Sequence, residues 1–276
     1  MSTTAGAERA PRWPDGYYTV SDGTRLHYVE AGEGVPVILI HGARGSAIGN
    51  WFSNGIAQKL IETNHVYALD MRGHGLSGGG RHGNLHMAAD VIAFMDQKGI
   101  EKAHFAGYSM GGAVMLQILA KAPHRFITAC FQGSGVTETA EWRDRVPPDI
   151  QGRDPDEDRA NAIVNQRRAA KGEEVGNNFG ERFAAAVPNA VVDMAGRFQA
   201  QLLGVDLKAI DFPVMAINGG YDRPNARTHR LARELRDFTN LVLPGKGHLT
   251  AMMAGFIPPE YVEGYAAFVV KNNPKP

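Results

Sequence analysis

The chain has 276 residues, 43% hydrophobic and 21% charged, with 29 basic residues balanced by 29 acidic ones. That composition suits a globular enzyme with a sizeable core, and the absence of a basic run argues against nucleic acid or an anionic membrane as partner. No apolar stretch approaches the about 20 residues of a membrane span, and the single cysteine excludes an internal disulfide. The polar stretch Met1 to Pro14 lacks the apolar core of a signal peptide, so a cytoplasmic protein acting on a small molecule is expected.

In chain order, Tyr17 to Val20 and Leu26 to Val29 flank Ser21-Asp22-Gly23 and read as a β-hairpin. Val35 to Ile40 is a continuous β-branched run of the kind buried in a parallel sheet, and it stops at His41-Gly42. A helix-like segment around Ile48 to Glu62 leads to a strand, Val66 to Leu69, ending at Asp70. Met87, Val91, Ile92 and Met95 recur at helical spacing and predict an amphipathic helix from about Asn84 to Gln97.

Gly107-Tyr108-Ser109-Met110-Gly111 follows the strand-like Ala103 to Ala106 and opens a helix-like run, Gly111 to Lys121, with Val114, Met115, Ile118 and Leu119 as its buried stripe. A serine between two glycines at a strand-to-helix junction is held on a tight, strained turn. Its hydroxyl stands clear at the positive end of a helix, where a developing oxyanion is favoured. Gly75-Leu76-Ser77-Gly78-Gly79 matches the same pattern, but Gly80 and Arg81 follow it and no helix does. Ser77 is therefore read as part of a glycine-rich structural loop.

Further strands are expected at Ile127 to Phe131, Val214 to Ile217 and Leu241 to Leu243. Cys130 in the first of these is read as a buried, inert thiol. Helices are expected around Asn225 to Leu235 and from about Pro259 to Val270. Strands alternating with helices mean an α/β fold with a mostly parallel central sheet flanked by helices. Residues 136–208 break the alternation, with the charged loop Arg153 to Arg159 and a one-sided stripe of Val191, Met194, Ala195, Phe198 and Leu202. That stretch is expected to form a helical cap over a core of residues 15–135 and 209–276. Trp142 and Phe198 are its candidate substrate contacts, although Phe198 is first of all a packing residue.

A serine hydroxyl needs a base to take its proton and a third group to orient that base. His248 follows the last strand and the turn Pro244-Gly245-Lys246-Gly247, while Asp222 lies in Gly219-Gly220-Tyr221-Asp222 just past the preceding strand. The order is then Ser, Asp, His. Asp222 could also cap the helix that begins near Pro224, and His41, before a glycine at a strand end, is read as shaping a loop. His82, His86 and Asp90 share helical spacing, but Gly83 and Asn84 interrupt the face they would need to hold a metal.

With these residues in register the chain resembles the α/β-hydrolase superfamily, in its capped serine esterase branch. The resemblance rests on His41-Gly42, the Asp70-x-Arg72-Gly73-x-Gly75-x-Ser77 stretch, the elbow around Ser109, and Gly219-x-x-Asp222 with Gly247-His248. It implies an oxyanion hole from the backbone N–H groups of Met110 and Ala43, a structural role for Asp70 to Ser77, and no metal or organic cofactor. Branches that carry aspartate at the elbow, the haloalkane dehalogenases and epoxide hydrolases, do not match Ser109. Members with the acid after the strand before the cap find no carboxylate here until Glu138. Esterase, lactonase, carbon–carbon bond hydrolase and cofactor-free perhydrolase chemistry all remain open, as does a slow-turnover ligand receptor. The mixed charge of the cap predicts a modest pocket for small, soluble substrates.

Overall fold

The computed structural model describes residues 13–79, 83–170 and 205–275. Its frame is an eight-stranded sheet in the order β1-β2-β4-β3-β5-β6-β7-β8. These strands are β1 (Asp15–Thr19), β2 (Arg25–Ala31), β3 (Val35–Ile40), β4 (Asn64–Leu69), β5 (Ala103–Tyr108), β6 (Phe126–Gln132), β7 (Val214–Gly219) and β8 (Phe238–Leu243). β2 runs antiparallel to β1 and β4, and every other pairing is parallel. The carboxyl ends of β3, β5, β6, β7 and β8 therefore share one edge, where an open α/β sheet places ligands.

The helices are α1 (Ile56–Leu60), α2 (Asn84–Lys98), α3 (Met110–Lys121), α4 (Glu157–Ala170), α5 (Pro224–Glu234) and α6 (Pro259–Lys271). Successive strand residues point to opposite faces, so the runs without polar residues feed two cores at once. Ile38, Ile40, Phe105 and Phe131 pack with Phe94 of α2, Val114 of α3 and Leu231 of α5. Their neighbours Val37, Leu39, Ala106 and Cys130 pack on the other face with Trp51, Leu60 of α1, and Tyr261 and Tyr265 of α6. Cys130 is fully buried, and burial raises its thiol pKa, which leaves it inert as expected.

The helix expected around Ile48 to Glu62 is instead two pieces, a π-helical turn at Ile48–Phe52 and the short α1. Gly55 breaks it by adopting a left-handed φ of 89°. Between Gln132 and Val214 the described residues contain no strand, and α4 is the α-helix described there. The stripe from Val191 to Leu202 lies outside the described residues.

The Asp70 to Ser77 stretch ties the antiparallel corner of the sheet together. Asp70 accepts hydrogen bonds from the Ala47 amide (2.7 Å), the Leu76 amide (2.9 Å) and His27 Nδ1 (2.8 Å). The Ser77 hydroxyl donates to the Asp70 carbonyl and accepts the His27 N–H (2.8 Å). His27 itself is buried between Asp70 and Asp15, whose carboxylate lies 3.2 Å from Nε2. Burial disfavours the imidazolium, but the bonds to Asp70 and Asp15 outweigh it and raise the His27 pKa above its ordinary 6.5.

A raised folded-state pKa stabilises the fold fully below the unfolded value, and that contribution fades as pH rises through the folded value. His27→Gln should therefore lower the unfolding midpoint most just below pH 6.5, with the gap to wild type narrowing as pH rises. Midpoints measured by denaturant titration across pH check this, and a gap that widens with pH would contradict it.

Candidate active site

The site begins with the turn from β5 into α3. Ser109 sits there at φ 52° and ψ −110°, a conformation that L residues rarely adopt and that neighbouring structure must enforce. The enforcement is steric. A Cβ at Gly107 would overlap the backbone of Gly111 and Gly112, and one at Gly111 would overlap the Ile40 carbonyl at the end of β3. Both glycines are thus required by close backbone approach, as the motif predicts. The Ser109 side chain makes no capping bond to α3, so its hydroxyl is free to face a base at the positive end of that helix.

His248 stands opposite that hydroxyl. Its Nε2 lies 3.0 Å from Ser109 Oγ, and its Nδ1 lies 2.7 Å from Asp222 Oδ2. The three residues that sequence spacing singles out thus meet in one hydrogen-bonded row. Tyr108, the residue before the serine, donates from its hydroxyl to the His248 carbonyl (2.8 Å) and stacks on the imidazole with centroids 5.2 Å apart.

Asp222 does not cap α5. The amides of Asn225 and Ala226 go instead to the Asp149 carboxylate, at 2.7 and 3.3 Å. Asp222 keeps Oδ2 for His248 and uses Oδ1 to accept Arg227 Nη2 at 2.8 Å. Arg227 also donates to the Gly133 carbonyl at the end of β6, so one guanidinium links the acid to the neighbouring strand. The Glu138 carboxylate is committed elsewhere, to His229 (2.7 Å) and Arg233 (2.6 Å) of α5.

The amides of Met110 and Ala43 enter no backbone hydrogen bond among the described residues. Met110 opens α3 and so has no partner within the helix. His41 beside them is fully buried, accepts the Met71 amide on Nε2 (3.0 Å) and faces the Gly42 carbonyl with Nδ1 (2.7 Å). Burial is the main reason that its pKa falls to about 4, so it stays neutral and shapes the loop.

Trp142 lies against two cations, with Arg233 4.2 Å and Arg145 4.7 Å from its ring centroid. Phe198 lies outside the described residues, as does His82. Asp90, one of the residues at metal-ligand spacing, is bidentate to Arg72 at 2.6 Å. Sequence reading missed Tyr108, Arg227 and Asp149 as supports of the site. All three act across 76 or more residues or within an unmarked helix face, and no local pattern announces them.

The sequence profile of the α/β hydrolase fold matches residues 35–167, which span β3, the elbow and the start of α4. The chain has the α/β-hydrolase fold. It is 41% identical over 110 residues to the dihydrolipoyllysine-residue acetyltransferase component of an acetoin cleaving system from Cupriavidus necator, covering 39% of this chain and 29% of that one. The chain thus spans less than a third of the length of that relative. Over 265 residues it is 27% identical to a non-heme haloperoxidase from Rhodococcus erythropolis, covering 84% of this chain and 92% of the other. Among solved structures, a meta-cleavage product hydrolase from Pseudomonas fluorescens superposes with a TM-score of 0.64 at 22% identity, covering 91% of this chain and 94% of that one. Such a likeness shows the shared fold.

The steric account of the elbow separates the two glycine-serine motifs. Gly111→Ala pushes a methyl into the Ile40 carbonyl and should cost about 1–3 kcal/mol of stability. Gly79→Ala, at the equivalent place in the second motif, meets nothing within 4 Å. It should stay within about 0.5 kcal/mol of wild type in the same denaturant titration.

Proposed function

We propose that the protein is a serine hydrolase that cleaves a small, soluble carboxylic ester or related carbonyl compound through an acyl-enzyme. The observation that carries this reading is the row Ser109 Oγ, His248 Nε2, His248 Nδ1, Asp222 Oδ2, with gaps of 3.0 and 2.7 Å. Residues 15–135 and 209–276 serve as the hydrolase core, and 136–208 as a helical cap that covers the site.

In the first half-reaction Ser109 Oγ bonds to the substrate carbonyl carbon while its proton passes to His248 Nε2. Asp222 accepts from Nδ1–H, which fixes the tautomer and steadies the imidazolium that forms. The carbonyl electron pair moves to oxygen, where the amides of Met110 and Ala43 receive it as an oxyanion hole. The bond to the leaving alcohol then breaks as His248 returns the proton to it, leaving an ester on Ser109. Water attacks that ester with His248 again as base, and the acid and free Ser109 are released.

A fluorophosphonate probe should label Ser109 and leave Ser77 unmodified, as read by mass spectrometry of the digest. Ser109→Ala should abolish ester turnover with the fold intact, and Asp222→Asn should lower kcat by about 10³- to 10⁴-fold. Full activity in the alanine variant would end the reading.

The cap bears on substrate size. It carries Arg143, Asp144, Arg145, Arg167 and Arg168, a mixed charge unlike the broad apolar lid that a lipase presents to lipid. Short acyl p-nitrophenyl esters of about two to six carbons should exceed long ones by at least about 10-fold in kcat/KM. Each added methylene gains about 0.8 kcal/mol only where the pocket has room for it. A maximum at ten or more carbons, or a rate jump on droplet formation, would make the cap a lipase lid.

A further inference from the structure

The charged loop before α4 reaches back to the turn that carries His248. Asp154 is buried at 4% exposure. Its Oδ2 accepts the Gly247 amide at 2.8 Å and the Thr250 hydroxyl, and its Oδ1 accepts the Asp156 amide at 2.9 Å. Thr250 is fully buried, and its hydroxyl oxygen also accepts the Gly247 amide at 2.8 Å. Glu157, the first residue of α4, lies beside this knot. Its Oε1 faces the Leu249 amide at 3.4 Å, and a Cβ on Gly247 would overlap its Oε2. Residues 247, 249 and 250 are thus all held from the inserted segment, and 248 hangs between them.

We propose that Asp154, acting through Thr250 and buttressed by Glu157, is a positioning residue that sets the distance between His248 and Ser109. This rests on the Ser109–His248–Asp222 reading above. Residues 244–248 belong to no strand or helix, so the His248 backbone is fixed only by what grips it. From within the core, Tyr108 holds the His248 carbonyl; from the insertion, Asp154 holds the amide before it. A buried carboxylate is costly unless fully hydrogen-bonded. Asp154 meets that condition with three donors, and these bonds outweigh burial and lower its pKa. The arrangement thus stays ionised and fixed through the neutral range. A base displaced by about 1 Å loses about 10²-fold in rate, because proton transfer needs hydrogen-bond reach.

The test compares Thr250→Val, which removes the hydroxyl while nearly keeping the shape, with Thr250→Ser, which keeps the hydroxyl. Asp154→Asn is an independent lesion of the same knot. Two rates are read for each: phosphonylation of Ser109 by a fluorophosphonate, and kcat with KM on a short p-nitrophenyl ester. Thr250→Val and Asp154→Asn should slow both phosphonylation and kcat by about 10- to 10²-fold with KM within about twofold, and Thr250→Ser should recover most of the loss. Wild-type phosphonylation rates in both Thr250→Val and Asp154→Asn, a loss confined to KM, or a folded Thr250→Ser no better than Thr250→Val would overturn the proposal. If the wild-type protein takes no label on Ser109, the Ser–His–Asp reading itself fails, and that outcome is read without any variant at these positions.

Discussion

The contact on which the site depends is the approach of Gly111 to the carbonyl of Ile40, where nothing larger than hydrogen fits. It holds the first turn of α3 against the end of β3, and so forces the chain to reverse at Ser109 with a left-handed φ of 52°. The same closeness brings the loop after β3 beside the serine, because Ile40 and Gly107 are register partners across adjacent strands. Tyr108 extends the principle. Its ring lies where side chains at Gly42 or Gly133 would otherwise be, and from that slot its hydroxyl reaches the His248 carbonyl. Glycines just past the ends of β3 and β6 make room for one aromatic ring at the sheet edge, where it supports His248.

Charge around the imidazole is arranged with comparable care. Asp222 faces His248 directly, and Arg227 offsets its negative charge from the far side while tying it to β6 through Gly133. Glu157 stands behind the loop, and burial raises its pKa despite the opposing pull of the Leu249 amide and His248. Its Oε2 is buried without a hydrogen-bond partner, whereas Asp154 has all its oxygens engaged. A strongly paired carboxylate and a weakly paired one thus flank the same turn.

Much of this was legible in the sequence because it is written locally. Apolar, β-branched runs bounded by turn residues placed every strand of the sheet within a few residues, and the elbow's glycines carry their own steric reason. Asp222 and His248 were legible from their places after β7 and β8, since the topology of a parallel sheet fixes which loops share an edge. The contacts that steady those residues were not. Asp154 meets Gly247 across 93 residues, Asp149 meets Asn225 across 76, and each looks by itself like one more acid in a charged stretch. The helix expected from Ile48 to Glu62 failed for a local reason, since apolar spacing persisted through a Gly55 that the backbone uses as a break.

The second glycine-serine motif shows why geometry decides where pattern does not. Ser77 has a histidine and an aspartate close by, and by residue type alone the group of Ser77, His27 and Asp70 imitates a hydrolytic triad. Its wiring forbids that chemistry. A nucleophile's base must present a ring nitrogen to the hydroxyl, but His27 turns Nδ1 to Asp70 and Nε2 to Asp15, so both nitrogens are spent on carboxylates. Among the described residues the Ser77 oxygen hydrogen-bonds to backbone alone, the Asp70 carbonyl and the His27 amide. Ser109 differs at each point: a strained turn exposes its hydroxyl, one nitrogen of His248 faces it, and a single carboxylate takes the other. The same three residue types brace a loop in one place and line up as a hydrogen-bonded row in the other, and the number of carboxylates on the histidine separates the two.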